Sequence, residues 1–198
     1  MSILEWRAGL RLARLLVLAA TVALAVGGWR CAGGCSDRPV TTGDHCSALS
    51  ILAEGHPVFG ANMDFAYVEN GLVFIIPRGL TRTGLWPGVT GENLTWTSRF
   101  ASLTFSLVGY PHAWAGINEK GLTFSTMNLA YATTYPPPDE RPALDSGLWI
   151  QDMLDTCETV EEVIAAESRV RIITADHYLV ADRHGRRAVL EFLDGQMV

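Results

Sequence analysis

The chain holds 198 residues, with 15 Lys and Arg against 21 Asp and Glu and 48% hydrophobic residues, which suits one globular domain and excludes several. A net charge of −6 and a pI near 5.3, with no basic cluster, exclude a phosphate-backbone footprint, so no nucleic-acid partner is expected. Only 18% of residues are charged and mean hydropathy is +0.18, which excludes a disordered tail.

Residues 15–28 read LLVLAATVALAVGG without a charge, after Arg7, Arg11 and Arg14. A basic flank before a short apolar run is an export signal. At 1.5 Å per residue the run spans about 21 Å, short of a hydrocarbon core of about 30 Å, which favours a secretory segment. Ala23-Leu24-Ala25 offers the small-x-small cleavage site. The alternative is an uncleaved anchor, lengthened over Leu12, Ala13 and Trp29 with Arg14 snorkelling. Both readings export the remainder to the periplasm or beyond the cell, with the membrane met only by this segment. Residues 1–28 are thus a signal peptide or anchor, 29–45 a Gly- and Pro-containing linker or propeptide, and 46–198 the folded domain. The first 45 residues carry five basic and three acidic groups, so 10 basic and 18 acidic groups remain and the domain stands at −8.

Four cysteines in an oxidising compartment invite a disulfide reading. Cys31 and Cys35 lie in the linker, close enough in sequence to bridge. Cys157 falls between two helical patterns and reads as a buried small hydrophobe. Cys46 stands where the linker ends and the first strand-like run begins.

Within the domain, residues 47–52, 58–63, 72–76, 94–97, 102–108, 114–118 and 122–128 are short apolar or alternating runs bounded by turn residues. They predict a meander of antiparallel strands. Glu119-Lys120-Gly121 is the tightest link, and Gly121 is placed for a positive φ. Pro136-Pro137-Pro138 makes a stiff connector. Residues 148–154 then carry a helical stripe from Trp149 and Ile150 to Met153 and Leu154. Thr159-Val160-Glu161-Glu162 is a capping box that opens a second helix through Glu167. Strands resume at residues 177–181 and 188–192. Met197-Val198 reads as the start of a strand without continuation, so a truncated product is expected.

HExxH, paired CxxC, GxGxxG, GxxxxGK[ST] and GxSxG are all absent from the sequence, which removes zinc-protease, dinucleotide, P-loop and hydrolase-elbow chemistry. His45, His56, His112, His177 and His184 do not fall at metal-ligand spacing on one element, and no metal or cofactor is implied. Cys46 and, eighteen residues later, Asp64 make chemical sense together if the chain is cut between His45 and Cys46. A freed α-amine has a pKa near 8 and serves as a general base at neutral pH. One residue then supplies nucleophile and base, and a carboxylate on the adjacent strand orients the amine. The plainer alternative makes Cys46 a small core residue and Asp64 a turn former.

Cys46-Ser47-Ala48-Leu49-Ser50, Phe59-Gly60-Ala61-Asn62-Met63-Asp64-Phe65, Gly116-Ile117-Asn118-Glu119-Lys120-Gly121-Leu122 and His177-Tyr178-Leu179-Val180-Ala181-Asp182, in this order and spacing, resemble the choloylglycine hydrolase and penicillin V acylase family. These are N-terminal-nucleophile hydrolases of linear amides. The resemblance implies an α+β fold with four αββα layers, autocatalytic exposure of Cys46 as nucleophile, and Asp64 positioning its amine. It implies Asn128, in Ser125-Thr126-Met127-Asn128-Leu129, as an oxyanion donor, against a reading of Asn128 as a strand-end turn residue. The expected partner is a small amide such as a conjugated bile salt, penicillin V or an acyl-homoserine lactone, and a homo-oligomer is left open. Phe65, Tyr67, Trp86, Trp114 and Tyr131 are candidate specificity walls or core residues.

Two departures from the family pattern stand out. Ala61 occupies the place where the family usually has an arginine beside the thiol, and Arg78 or Arg99 is the candidate replacement. The family's later oxyanion asparagine and a later arginine would fall after Val198. A catalytically inactive or truncated relative that keeps the fold is the alternative function.

Overall fold

The computed structural model describes residues 46–64, 71–84, 93–129, 139–193 and 196–198. The expectations for residues 1–45, for Phe65, Tyr67, Trp86 and Tyr131, and for the Pro136-Pro137-Pro138 connector lie outside the described residues.

The first two strands, β1 (Ser47–Ala53) and β2 (His56–Asn62), pair antiparallel from Ser47 opposite Asn62 to Ala53 opposite His56. The five-residue connection expected from the sequence contracts to Glu54-Gly55, whose φ angles of 52° and 82° are the left-handed pair of a two-residue hairpin turn. The chain continues through β3 (Leu72–Ile76), β4 (Thr81–Thr83), β5 (Thr95–Thr97), β6 (Ser102–Ser106), β7 (Ala115–Asn118) and β8 (Thr123–Asn128). There follow β9 (Ala143–Leu144), α1 (Ser146–Thr156), α2 (Val160–Ala165), β10 (Arg171–Ile172), β11 (Asp176–Ala181), β12 (Arg187–Leu193) and β13 (Gln196–Met197).

Seven strands form one antiparallel sheet in the order β13-β12-β11-β8-β7-β6-β3. The expected meander therefore holds for β6-β7-β8 and again for β11-β12-β13, but two hairpins leave it. β1–β2 form a layer of their own, and β4–β5 pair separately. In β4–β5 the outward threonines meet in cross-strand pairs, Thr81 with Thr97 and Thr83 with Thr95, while Arg82 and Trp96 turn inward. Gly121 has φ of 86° in the β7–β8 link, as its sequence position requires.

Period-two alternation gives the sheet two faces. One carries Phe124, Tyr178, Leu190 and Phe192, and both helices cover it. Trp149 of α1 stands edge-to-face on Phe124, Tyr178 and Phe192, at ring separations of 5.7, 4.7 and 5.3 Å. Gly116 of β7 lets α1 come this close, since a Cβ there would meet Leu154 Cδ1 at 2.7 Å and the Leu103 carbonyl oxygen at 2.9 Å. Asp145 caps α1 by accepting from the Leu148 N–H at 2.8 Å. Thr159 accepts from the Glu162 N–H at 3.3 Å, and the Glu162 carboxylate accepts from Glu158 N–H at 2.7 Å; this is the expected capping box with its return bond shifted one residue outward. Cys157 is buried at the α1 C-terminus, where desolvation raises its thiol to about 11, so it is an inert hydrophobe as expected.

The opposite face carries Val73, Ile75, Phe105, Ile117 and Val189, all exposed apolar residues. The β1–β2 hairpin lies on this side, with β1 against β8 and β11. Helices, the large sheet and the hairpin are thus three successive layers among the described residues.

Candidate active site

Two contacts fix the direction of the hairpin over the sheet. Leu52 Cδ2 approaches to 3.4 Å from a Cβ built on Gly185, in the β11–β12 link, and Arg187 Nη1 donates to the Ser50 carbonyl at 3.1 Å. Going from Leu52 back to Cys46, β1 therefore runs away from that link, toward the end of the sheet where Asn128 of β8 faces Asp176 of β11. Cys46, half-buried and a free thiol, sits at the hairpin end pointing that way.

Asp64 follows β2 on the partner strand. Asn62 joins the two: its Oδ1 accepts from the Ser47 N–H at 2.8 Å and from Ser47 Oγ at 2.5 Å, and its Nδ2 donates to Asp64 Oδ2 at 3.1 Å. The antiparallel register that sets Ser47 opposite Asn62 thus brings the residue after Cys46 and the Asp64 carboxylate onto one amide. Sequence reasoning passed over Asn62, although its place two residues before Asp64 was the available signal. Asn128 ends β8 as an exposed residue.

Between hairpin and sheet runs a cleft of about 770 Å³, lined among others by Phe59, Asn62, Met63, Val73, Phe105 and Trp114. Its walls are mainly apolar, with few polar groups, as in small-molecule sites. Cys46 is not one of the lining residues; Asn62 and Met63, across the ladder from it, are. Trp114 is the one expected specificity wall among the described residues, and it lines this cleft. Arg183 is the cation that lines it. Arg78 and Arg99, the expected stand-ins for the missing arginine, are committed elsewhere. Arg78 grips Glu119 through Nε and Nη2, both at 2.5 Å, and Arg99 donates to the Thr156 carbonyl at 3.0 Å while lying over Phe100.

Two of the four motifs serve as braces. Asn118 Nδ2 donates to the Leu154 and Cys157 carbonyls, at 2.9 and 2.8 Å, and its Oδ1 accepts from the Lys120 and Leu122 N–H groups. It thereby satisfies orphan carbonyls at the α1 C-terminus and holds the β7–β8 link. Asp182 accepts from the His184, Arg186 and Val160 N–H groups at 2.8, 3.2 and 3.3 Å, tying the β11–β12 link to the start of α2. A second cleft of about 410 Å³ lies beyond Trp114, with His112, Thr126, Asp145, Ser146 and Asp176 on its walls. There Ser146 Oγ bonds Thr174 at 2.5 Å, Tyr178 at 2.7 Å and the Asp176 carboxylate, and burial raises the Asp176 carboxyl.

Residues 46–198 match the family described as linear amide C-N hydrolases, choloylglycine hydrolase family. The penicillin V acylase of Pectobacterium atrosepticum is 29% identical over 163 residues, covering 72% of this chain and 42% of that protein. The bile salt hydrolase/transferase of Clostridium perfringens is 25% identical over 161 residues, covering 74% and 47%. Among solved structures, penicillin V acylase from Agrobacterium tumefaciens superposes with a TM-score of 0.66 at 28% identity, over 76% of this chain and 48% of that one. A variant of the conjugated bile acid hydrolase from Clostridium perfringens gives 0.66 at 24% identity, over 78% and 50%. The chain spans about half the length of these relatives. Its layers are those of the N-terminal-nucleophile hydrolase fold, with α1 and α2 as one outer layer, the large sheet next, and β1–β2 in the second sheet. The register around Cys46, the cleft lined by Asn62 and Met63 and the match over residues 46–198 lead to one conclusion: the chain belongs to the choloylglycine hydrolase family of linear amide C-N hydrolases.

Proposed function

We propose that this chain hydrolyses linear acyl amides, with conjugated bile salts, penicillin V and acyl-homoserine lactones as the substrate class, through Cys46 as an exposed N-terminal nucleophile. Support comes from one observation: the family match begins at Cys46, the residue just before β1, with Asp64 linked to its neighbour Ser47 through Asn62. Cleavage of the His45–Cys46 bond frees the α-amine. In acylation the thiol proton passes to that amine as sulfur bonds the substrate carbonyl carbon. Collapse of the tetrahedral intermediate breaks the C–N bond, and the proton moves to the leaving nitrogen. Water then attacks the thioester, giving a proton to the amine, and the acid departs as the thiol regains it. Asp64 orients the amine. Asn128 donates to the oxyanion, a contact worth roughly 3 kcal/mol in the transition state.

A second reading, a relative that keeps the fold without hydrolysis, is favoured by Ala61 and by the engagement of Arg78 and Arg99 with other partners. Expression with residues 1–45 in place separates the readings and tests export by the apolar segment. Intact-mass analysis of exported protein is expected to give a chain beginning at Cys46. Cys46→Ala is expected to stay uncut and to lose at least about a thousandfold in penicillin V turnover. An uncut wild-type chain, or full turnover by the alanine variant, would establish the second reading or a different nucleophile.

A further inference from the structure

We propose that Asn62 is a positioning residue for the reaction, fixing the Asp64 carboxylate relative to the Cys46 α-amine; this rests on the reading of Cys46 as nucleophile. The amide is used at both ends. Its oxygen accepts twice from Ser47, through the backbone N–H at 2.8 Å and Oγ at 2.5 Å, and its nitrogen donates to Asp64 Oδ2 at 3.1 Å. The Ser47 N–H belongs to the peptide bond that Cys46 itself contributes, so this contact pins the backbone one bond from the nucleophilic residue. With Oδ2 held by Asn62, Asp64 Oδ1 is left for the α-ammonium that cleavage before Cys46 would free.

The need for such a device follows from where these groups lie. Asp64 stands beyond the last ladder pair, Ser47 opposite Asn62, so no strand hydrogen bond sets its direction. Ser47, Asn62 and Asp64 are all exposed, and packing does not hold the carboxylate either. A loose carboxylate divides its time between the amine and water, which weakens both its orienting effect and its effect on the amine's titration. The side-chain amide supplies the missing constraint, because it alone among small side chains accepts at one end and donates at the other. Aspartate at position 62 separates the two duties. It retains both acceptances from Ser47, loses the donation to Asp64, and sets a second negative charge beside the amine, which favours the ammonium form.

The test uses the full chain with Asn62→Asp, Asn62→Ala and the Cys46→Ala control, processed protein being confirmed by intact mass. Two readouts are taken: kcat and KM for penicillin V, and the pH dependence of Cys46 alkylation by iodoacetamide, which needs no turnover. Asn62→Asp and Asn62→Ala are both expected to lower kcat roughly a hundredfold with KM within about twofold, and Asn62→Ala, which adds no charge, to move the alkylation profile to lower pH because a loose Asp64 supports the ammonium form less. If Asn62 only clamps the hairpin, Asn62→Asp, which keeps both bonds to Ser47, retains the wild-type kcat once the pH exceeds its charge-shifted profile, and Asn62→Ala alone is impaired; that outcome overturns the proposal while leaving Cys46 as nucleophile. An uncut wild-type chain, or Cys46→Ala with wild-type turnover, overturns both. If the chain is processed but turns over no penicillin V, the alkylation profile decides: a profile moved to lower pH in Asn62→Ala supports positioning, and an unmoved one refutes it.

Discussion

Trp149→Ala is expected to lower the stability of the folded domain by about 4 kcal/mol. Trp149 is 1% exposed and is the only residue that touches Phe124, Tyr178 and Phe192 together among the described ring pairs. Removing it empties the seam between α1 and the middle of the large sheet, where backbone on both sides is too rigid to collapse. For a domain of this size that is a fall in Tm of roughly 8–16 °C. A urea titration would check it, through a lower midpoint at unchanged slope. Trp149→Phe should cost much less than the alanine change, because the buried Trp149 Nε1 has no hydrogen-bond partner and its removal forfeits none. A phenylalanine variant as unstable as the alanine one would mean that shape at this seam outweighs buried volume.

Arg82→Ala should cost about 3–5 kcal/mol at pH 8, and less at pH 5. Arg82 Nη1 lies 2.5 Å from Asp155 Oδ2 with both side chains buried, and Trp96 Nε1 and Gln151 Nε2 also donate to that carboxylate, at 2.8 and 2.9 Å. Burial nevertheless lifts the Asp155 carboxyl from 3.8 to about 6, with Trp96 and Arg82 pulling it down. A carboxyl raised in the folded state binds its proton more tightly there than in the unfolded chain. Wild-type stability should therefore rise as pH falls through about 6 toward 4. His112 adds to the same trend, since its hydrogen bond to Asp145 raises it above 6.5, and the stability it lends is present at low pH and lost as pH rises through the raised value. Without Arg82 the Asp155 anion is unopposed, so the variant's pH dependence should steepen and begin at higher pH. Thermal unfolding of wild type, Arg82→Ala and Asp155→Asn between pH 5 and 8 would show it. The asparagine variant is expected to have the flattest profile, and equal slopes in all three would rule out Asp155 as the source.

These two sites show different degrees of legibility in the sequence. The helical stripe at Trp149, Ile150, Met153 and Leu154 is a local pattern, and it placed α1 with its apolar residues buried. The strands of the large sheet from β3 to β12 were also plain, because each is a short apolar or alternating run between turn residues; β8 and β11, in the middle, bury both faces over four successive residues. Arg82 was not legible. A strand reading Thr81-Arg82-Thr83, with the charge inward, inverts the usual pattern, and only Asp155, 73 residues away, makes sense of it. The very short β9 and β10 carry too few residues to show a period, whereas β13 was visible as the start of a strand at Met197.

At the candidate site, residue type and spacing left Cys46 and Asp64 open between a nucleophile with its orienting carboxylate and a core residue with a turn former, and the family resemblance favoured the first. Which of the motif residues face that chemistry was a matter of folding. Asn118 and Asp182, prominent in the sequence, turn out to satisfy backbone groups of α1 and α2, whereas Asn62 joins Ser47 to Asp64. Composition and pattern act along the chain and placed the main strands and helices, and four motifs in register carried the resemblance to the family. The pairing of Ser47 with Asn62, the burial of Arg82 beside Asp155 and the laying of the hairpin against β8 and β11 bring together groups far apart in sequence, and hydrogen bonds of that kind exist only once the layers have packed.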